Sequence, residues 1–152
     1  MAAEQSDALA YQRARFATRL PLGYLYSPGH YWIGRQEEHL WRVGFTKFGS
    51  RMLGEMVDYG FDTEVGSPIR TGQVIGWIEG FKALSEVFCV GGGQFGGANP
   101  ALEDDPTVIN RDPYDAGWLY LIRGEPDSTC IDVHAYAELL NRTIDKLLER
   151  SC

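Results

Sequence analysis

Residues 73–89 read QVIGWIEGFKALSEVFC and contain two strand-like arms that meet at Lys82. Residues 73–79 and 83–90 are rich in Val, Ile, Trp and Phe, which are residues that strands prefer. Gly80 lies just before the point where the arms meet, and glycine can adopt the positive φ angles with which a chain reverses. The stretch therefore predicts a β-hairpin that presents Lys82 at its tip, where a modifying enzyme can reach it.

Two carboxylates flank this lysine in the sequence, Glu79 and Glu86. They could orient a ligase or a partner protein, or they could be ordinary surface charge. A lysine on a β-turn is most often simply solvated, so a modified and an unmodified Lys82 both stay open on the residues alone. The chain has only two other lysines, Lys47 and Lys146, which leaves few competing targets for modification.

Composition restricts the class of protein. The chain has 152 residues, of which 44% are hydrophobic, and this is enough to form one domain with a buried core. Its 18 glycines and 7 prolines favour many turns and short strands over a helical bundle. The formal net charge is -7 and the sequence has no Lys/Arg cluster, which argues against nucleic acid as a partner. No apolar run has the length needed to span a membrane.

The cysteine and histidine positions predict no disulfide framework and no metal site. The three cysteines, Cys89, Cys130 and Cys152, are odd in number and form no C-x-x-C pair, which favours a reducing, cytoplasmic compartment. The three histidines are far apart in sequence, and no Cys, Asp or second His lies at metal-ligand spacing from any of them. Cys89 follows Lys82 by seven positions, so it is either a small buried residue or a thiol that exchanges with whatever Lys82 carries.

No segment carries a convincing catalytic group. Ser85 lacks the G-x-S-x-G setting of an activated serine, and the glycines at 91–97 lack the strand, helix and lysine of a phosphate loop. These glycines are interpreted as bulge and turn residues. We therefore expect a protein that is not an enzyme and that carries a cofactor for others.

The remaining pattern predicts further strands and one short helix. Residues 31–35 and 40–45 flank a polar segment and predict a hairpin. Thr46 is a candidate cap for a short helix that ends at Gly54. Residues 117–122 predict a last strand.

The two ends of the chain are both predicted to be helical. Residues 132–149 place five apolar residues on one helical face, with Asp132 as the cap: Val133, Tyr136, Leu140, Ile144 and Leu147. Residues 6–19 are interpreted as a short N-terminal helix that stops at Pro21. The predicted organisation is a helical extension over residues 1–21 and a main domain over residues 22–152.

Two segments resemble the glycine cleavage H protein family. Residues 77–86, WIEGFKALSE, are similar to the segment in which that family is lipoylated. Residues 99–118, NPALEDDPTVINRDPYDAGW, resemble its NEAL…P…IN-DPY-GW pattern over a long and specific match. Shorter pieces fit as well, and the resemblance covers roughly residues 22–148.

This resemblance implies a mainly β fold with flanking helices, a barrel-sandwich hybrid of two antiparallel sheets with a C-terminal helix. It also implies lipoate in amide linkage on Lys82, attached by a lipoate-protein ligase or lipoyl transferase. The flanking Glu79, Gly80 and Glu86 are included in the expected cofactor site. The neighbours of Lys82 are Phe81 and Ala83, whereas biotin carriers usually have methionines there, and this difference favours lipoate.

Three positions depart from the family pattern. Gly29, Tyr31 and Met52 lie where the family has a serine, a glutamate and a histidine that help to hold the aminomethylated arm, and Glu86 replaces an aspartate. The loss of these polar groups favours a divergent branch, the lipoate-binding proteins of bacterial sulfur oxidation. The implied partner is then a heterodisulfide-reductase-like complex.

Two alternatives stay open. The first is a glycine cleavage carrier with an unusual cleft, whose partners are glycine decarboxylase, aminomethyltransferase and dihydrolipoyl dehydrogenase. The second is an unmodified acidic binding module that keeps the fold.

Overall fold

Antiparallel strands form the larger part of the regular secondary structure in residues 7–151, the part of the chain that the computed structural model describes. The strands are β1 (Ala8–Arg13), β2 (Phe16–Pro21), β3 (Leu25–Ser27), β4 (Tyr31–Glu37), β5 (Leu40–Phe45), β6 (Met56–Phe61), β7 (Pro68–Ile69), β8 (Val74–Gly80), β9 (Leu84–Phe88), β10 (Gly91–Ala98) and β11 (Tyr120–Pro126). The helices are α1 (Lys47–Leu53), α2 (Ala101–Asp104), α3 (Val108–Arg111) and α4 (Val133–Ser151).

Two antiparallel sheets form the body of the molecule. A six-stranded sheet has the order β3-β4-β5-β11-β10-β7, and a three-stranded sheet has the order β6-β8-β9. Ile33, Val43 and Ile122 from the first sheet and Ile75 and Ile78 from the second are buried in one apolar cluster. Burial of this apolar surface stabilises the fold. The predicted mainly β sandwich with a C-terminal helix is confirmed.

The predicted local elements of the central region are present. β4 and β5 form a hairpin whose two turn residues include His39 at a φ of 59°. Thr46 caps α1, because its Oγ1 accepts a hydrogen bond from the backbone N–H of Gly49 at 3.2 Å. Gly54 ends α1 at a φ of 84°, a conformation that glycine adopts without strain.

The C-terminal helix also agrees with the prediction. Its apolar face is buried in a second cluster, together with Tyr26 and Trp32. Asp132 caps it, since its carboxylate accepts the backbone N–H of Ala135 at 2.9 Å. α4 contacts β1 and β3, so the helix packs against the N-terminal hairpin and an edge strand of the six-stranded sheet. No helix within residues 7–151 is both long enough and apolar enough to cross a bilayer.

The predicted N-terminal helix is wrong. Residues 8–21 form a β-hairpin, β1 paired with β2, and residues 1–6 lie outside the described residues. In β2 the buried Phe16, Thr18 and Leu20 alternate with exposed residues, which is the period of a strand. Phe16 and Leu20 pack into the same apolar cluster as α4. This packing overrides the helical propensity of the segment, and the domain boundary at residues 21 and 22 stays a prediction.

The glycine-rich segment after the Lys82 hairpin is a strand, β10, and not only a break. A Cβ atom on Gly93 would lie 2.0 Å from the carbonyl oxygen of Arg123 on the paired strand β11. Glycine is therefore required for the close approach of the two backbones. The expected irregularity is present as a register shift between Phe95 and Gly97.

Candidate functional site

Lys82 lies at the tip of the β8–β9 hairpin with its side chain exposed. Its backbone N–H donates to the carbonyl oxygen of Leu53 at 2.9 Å, and the N–H of Phe81 donates to that of Glu55 at 3.0 Å. Within residues 7–151, no hydrogen bond or ion pair holds the ammonium group of Lys82. The backbone of the tip is thus fixed to the end of α1, while the amine is left accessible.

Gly80 is required at the tip for a reason other than the one predicted. It does not adopt a positive φ, so that part of the prediction is wrong. A Cβ atom at Gly80 would lie 2.1 Å from the carbonyl oxygen of Leu53, which is far inside van der Waals contact. On the other side of the tip, Gly54 lies close to the side chain of Lys82. A Cβ atom added at Gly54 would lie 3.0 Å from Cγ of Lys82. Gly80 therefore lets the hairpin approach α1 closely.

The side chains of Glu79 and Glu86 are exposed on the hairpin arms. Glu86 pairs in register with Trp77, and Glu79 pairs with Leu84. Neither carboxylate forms an ion pair with Lys82 in the described part of the chain. Their contribution to the cofactor site stays a prediction.

Two large apolar side chains near Lys82 are exposed to solvent, which the sequence pattern did not predict. Phe81 is 78% exposed and Leu84 is 69% exposed. Large apolar side chains so exposed on either side of an accessible amine form an apolar surface at the tip that is available for contact with another protein. The signal was present in the sequence, because both residues flank Lys82 at the reversal of the chain.

The three positions that depart from the family pattern meet around one cavity of about 490 Å³. Gly29, Tyr31 and Met52 all line it, and we call it the Tyr31 cavity. Its further lining includes Leu53, Phe88 and Cys89. The acid in this lining is Asp127, whose carboxylate accepts the backbone N–H and the hydroxyl of Thr129.

Tyr31 adds no charge to this cavity. Burial raises the pKa of its hydroxyl to about 12, so the side chain is neutral at physiological pH. The hydroxyl oxygen accepts the backbone N–H of Phe88 at 3.0 Å, and the ring stacks on Phe45. The cavity therefore has an aromatic wall at the position where the family pattern has a carboxylate.

The thiols at the Tyr31 cavity are poorly suited to exchange. Burial raises the pKa of Cys89, and its Sγ donates to the carbonyl oxygen of Gly91 at 2.9 Å. Burial likewise raises the pKa of Cys130 to about 11. Since the thiolate is the reactive form, these environments favour the interpretation of Cys89 as a small buried residue. No group of three metal-ligating side chains occurs among the described residues.

His30 has a structural contact and not a catalytic one. Its Nδ1 lies 2.8 Å from the hydroxyl of Tyr136, which in turn lies 2.7 Å from Oγ1 of Thr46. Burial lowers the pKa of His30 to about 4, so the imidazole is neutral in the folded protein.

We expect this histidine to make the fold sensitive to mild acid. Its pKa is about 4 when folded and about 6.5 when unfolded, so the unfolded state binds more protons as the pH falls below 6.5. The free energy of unfolding should fall by roughly 1–2 kcal/mol between pH 7 and pH 5 through this residue. The variant His30→Asn tolerates the positive φ of 73° and does not titrate, so it should lose that part of the pH dependence.

Urea unfolding at both pH values measures the effect. His134→Asn is the matched control, because it makes the same substitution at an exposed position on α4. An unchanged pH dependence in His30→Asn would contradict the assignment.

The two-sheet sandwich with a lysine at a fixed hairpin tip defines a carrier domain for a covalently attached cofactor. The family model for the glycine cleavage H-protein matches residues 24–143. The chain therefore belongs to this family. Proteins of the family are carriers and not catalysts, and they hold lipoate covalently on a lysine. The prediction of a lipoyl carrier that is not itself an enzyme is confirmed by this membership.

Individual relatives agree over nearly their whole length. The glycine cleavage system H protein of Kocuria rhizophila is 35% identical over 128 residues, 82% of this chain and 99% of the relative. That of Corynebacterium jeikeium is 34% identical over 122 residues, 78% of this chain and 95% of the relative. The crystal structure of the H protein from Mycobacterium marinum superposes with a TM-score of 0.72 at 30% identity, and the match covers 80% of this chain and 99% of that one.

Proposed function

We propose that this chain carries its lipoyl group on Lys82 and presents it to partner enzymes. The observation that supports this is the accessible amine of Lys82 on a tip fixed through Leu53 and Glu55, in a family that carries lipoate on a lysine. Neither of the other two lysines lies at a hairpin tip. Lys47 uses its Nζ to donate to the carbonyl oxygen of Ala17 at 2.8 Å, and Lys146 lies on the surface of α4.

The surroundings of Lys82 fit such a group. Amide formation removes the charge of the amine, and within residues 7–151 no carboxylate loses an ion-pair partner when this happens. The bound lipoyl group supplies a disulfide that opens by thiol–disulfide exchange. Tethering at a fixed tip keeps the carried fragment at a high effective concentration near each partner site. A lipoate-protein ligase or lipoyl transferase attaches the group, with Phe81 and Leu84 as its apolar contacts.

The first candidate cargo is the aminomethyl group of glycine cleavage. It is supported by the relatives at 34–35% identity, which are named glycine cleavage system H proteins. The partners would then be glycine decarboxylase, aminomethyltransferase and dihydrolipoyl dehydrogenase.

The second candidate cargo is a sulfur species in a sulfur-oxidation system with a heterodisulfide-reductase-like complex. A specific observation favours it. At Gly29, Tyr31 and Met52 the Tyr31 cavity lacks the serine, glutamate and histidine of the family pattern, and the carboxylate of Asp127 in its lining already accepts two hydrogen bonds from Thr129. A buried charged group needs such partners, and a sulfur atom needs them far less.

Two measurements test these proposals. Peptide mass spectrometry on protein from the native host should find the mass of lipoate on Lys82 and on no other lysine. The lipoylated protein is then offered to glycine decarboxylase, with the Kocuria rhizophila relative as a reference. With a sulfur cargo, we expect aminomethyl transfer to be roughly tenfold slower or more than to the reference, since each missing polar partner costs about 1–3 kcal/mol.

Gly29 and Met52 are both exposed, so substitutions at these positions provide a gain-of-function control. Gly29→Ser and Met52→His restore two polar groups without burying a charge, and together they should raise the transfer rate if the cavity limits it. A wild-type rate equal to the reference would establish the glycine cleavage cargo. An unmodified Lys82 in cells that lipoylate other proteins would support the unmodified acidic module.

A further inference from the structure

A groove of about 360 Å³ begins at Lys82 and runs between the β1–β2 hairpin, α1 and α4. Its floor contains the nearly buried side chains of Phe16, Phe48 and Ile144. Three arginines line its rim, namely Arg13, Arg15 and Arg51. We call this groove the arginine groove. Met52 lines both this groove and the Tyr31 cavity, so the two lie on either side of that residue.

The charge of the arginine groove is opposite to that of the chain as a whole. Arg13 forms a paired contact with Asp145, at 2.9 Å through Nε and 2.8 Å through Nη2, and this joins β1 to α4. Within residues 7–151, no carboxylate pairs with Arg15 or with Arg51. The guanidinium of Arg51 lies 5.9 Å from the centre of the Phe16 ring, which directs it over the groove floor.

A neighbouring groove on the other side of Lys82 has the same sign of charge. It shares Arg51 and adds Lys47 and Arg111, with Glu55 as the acid in its lining. Six of the fourteen basic residues therefore line one of the two grooves at the tip: Arg13, Arg15, Lys47, Arg51, Lys82 and Arg111. Arg13 and Arg111 are paired with Asp145 and Asp105, so the uncompensated positive charge beside Lys82 comes chiefly from Arg15 and Arg51.

The walls of the arginine groove are largely formed by residues outside the family match. That match covers residues 24–143, whereas Arg13, Arg15 and Phe16 come from the N-terminal hairpin. Ile144 and Leu148 come from the end of α4. Much of the groove beside the proposed attachment point is thus built from residues outside the range that the family model matches.

We propose that the arginine groove binds the lipoyl arm of Lys82 when the end of the arm carries a negatively charged adduct. The apolar floor receives the aliphatic part of the arm, and Arg15 and Arg51 neutralise the charge of the adduct. We assign the lipoyl arm to this groove because Lys82, the proposed attachment point of the arm, lines it. The class of cargo is a sulfonate- or carboxylate-bearing sulfur adduct, and a cationic adduct is disfavoured. This inference rests on the proposed lipoylation of Lys82.

Two thiols of similar length and opposite charge test it on the lipoylated full chain: mercaptoethanesulfonate and cysteamine. In each case the thiolate attacks one sulfur of the dithiolane, the ring S–S bond breaks, and a mixed disulfide forms. The second ring sulfur leaves as a thiolate and takes up a proton. Intact mass spectrometry gives the equilibrium constant for mixed-disulfide formation with each thiol. The ratio of the constant for mercaptoethanesulfonate to that for cysteamine is then compared with the same ratio for free lipoamide.

For the wild type, we expect the ratio to favour the anionic adduct by roughly three- to tenfold over free lipoamide, and to fall with added salt. The variant Arg15→Gln/Arg51→Gln should lose this preference. The control Arg35→Gln/Arg123→Gln removes the same charge from two exposed arginines that line neither groove, so it should keep the preference. All four positions are exposed, and circular dichroism confirms that the variants fold.

A second readout does not depend on exchange chemistry. NMR signals of the Ile144 methyl groups should shift when the anionic adduct forms on the wild type, and should shift much less in Arg15→Gln/Arg51→Gln. A lipoylated chain without any charge preference overturns this inference and leaves the proposed function intact. A chain that no lipoate ligase modifies at Lys82 overturns both.

Discussion

Lys82→Arg is expected to abolish lipoylation and every transfer reaction that depends on the arm, while the fold is retained. Arginine keeps the length and the positive charge of lysine, but its guanidinium does not lose its proton in proteins and does not form the amide. The side chain of Lys82 is exposed and unpaired within the described residues, so the free energy of unfolding should change by less than about 0.5 kcal/mol. Intact mass after incubation with a lipoate ligase, together with the melting temperature, measures both parts.

The two other lysines supply the controls for this experiment. Lys146→Arg changes an exposed lysine on α4, and lipoylation should proceed at the wild-type rate. Lys47→Arg tests the lysine that lies nearer the tip and lines the neighbouring groove. A lipoate adduct on Lys82→Arg would place the attachment point elsewhere. Full biological function of an unmodified Lys82→Arg chain would instead support the acidic binding module.

Elements with a strong local signal could be predicted from the sequence. The Lys82 hairpin has β-branched and aromatic arms around a glycine, and α1 has both a Thr46 cap and a Gly54 stop. The apolar face of α4 repeats at helical spacing over four turns. In each case the local preference and the tertiary packing favour the same structure, so the sequence pattern is sufficient.

The N-terminal hairpin could not be predicted in the same way. Its strands are only six residues long and contain alanine, arginine and glutamine, which favour helices. The strand signal is limited to the alternation of Phe16, Thr18 and Leu20. What decides the structure is the burial of Phe16 and Leu20 against α4, more than a hundred residues away in the chain. Such a contact has no local signature.

The candidate site was likewise predictable only where its residues belong to a local sequence motif. Lys82 and the altered positions Gly29, Tyr31 and Met52 were visible in the sequence, because each occupies a fixed place in a motif. The arginine groove was not visible, since residues 13–16, residue 51 and residues 144–148 become neighbours only in the folded chain. The role of Gly80 was also missed, because it depends on how closely Leu53 approaches and not on the dihedral angles of Gly80.

Gly80→Ala is expected to have the largest effect on stability at the site, and to slow lipoylation of Lys82. The new methyl group would lie 2.1 Å from the carbonyl oxygen of Leu53 and 2.7 Å from its carbonyl carbon. Both are backbone atoms, so no side-chain rotation relieves the clash. The hairpin must therefore move away from α1. This movement breaks the hydrogen bond that the backbone N–H of Lys82 donates to the carbonyl oxygen of Leu53. We expect a loss of roughly 2–3 kcal/mol in the free energy of unfolding.

Urea unfolding and the initial rate of lipoylation test this prediction, with Gly23→Ala as the control. A Cβ atom added at Gly23 would have no neighbouring heavy atom within 4 Å, and Gly23 does not have a positive φ. Alanine at this position should therefore change neither the free energy of unfolding nor the rate of lipoylation. Temperatures at which Gly80→Ala is still fully folded separate the two effects. A slow lipoylation rate under those conditions means that the ligase requires the tip in its fixed position. Wild-type stability and a wild-type rate in Gly80→Ala would mean that the close contact with Leu53 does not constrain the tip, and that only the accessibility of Lys82 matters.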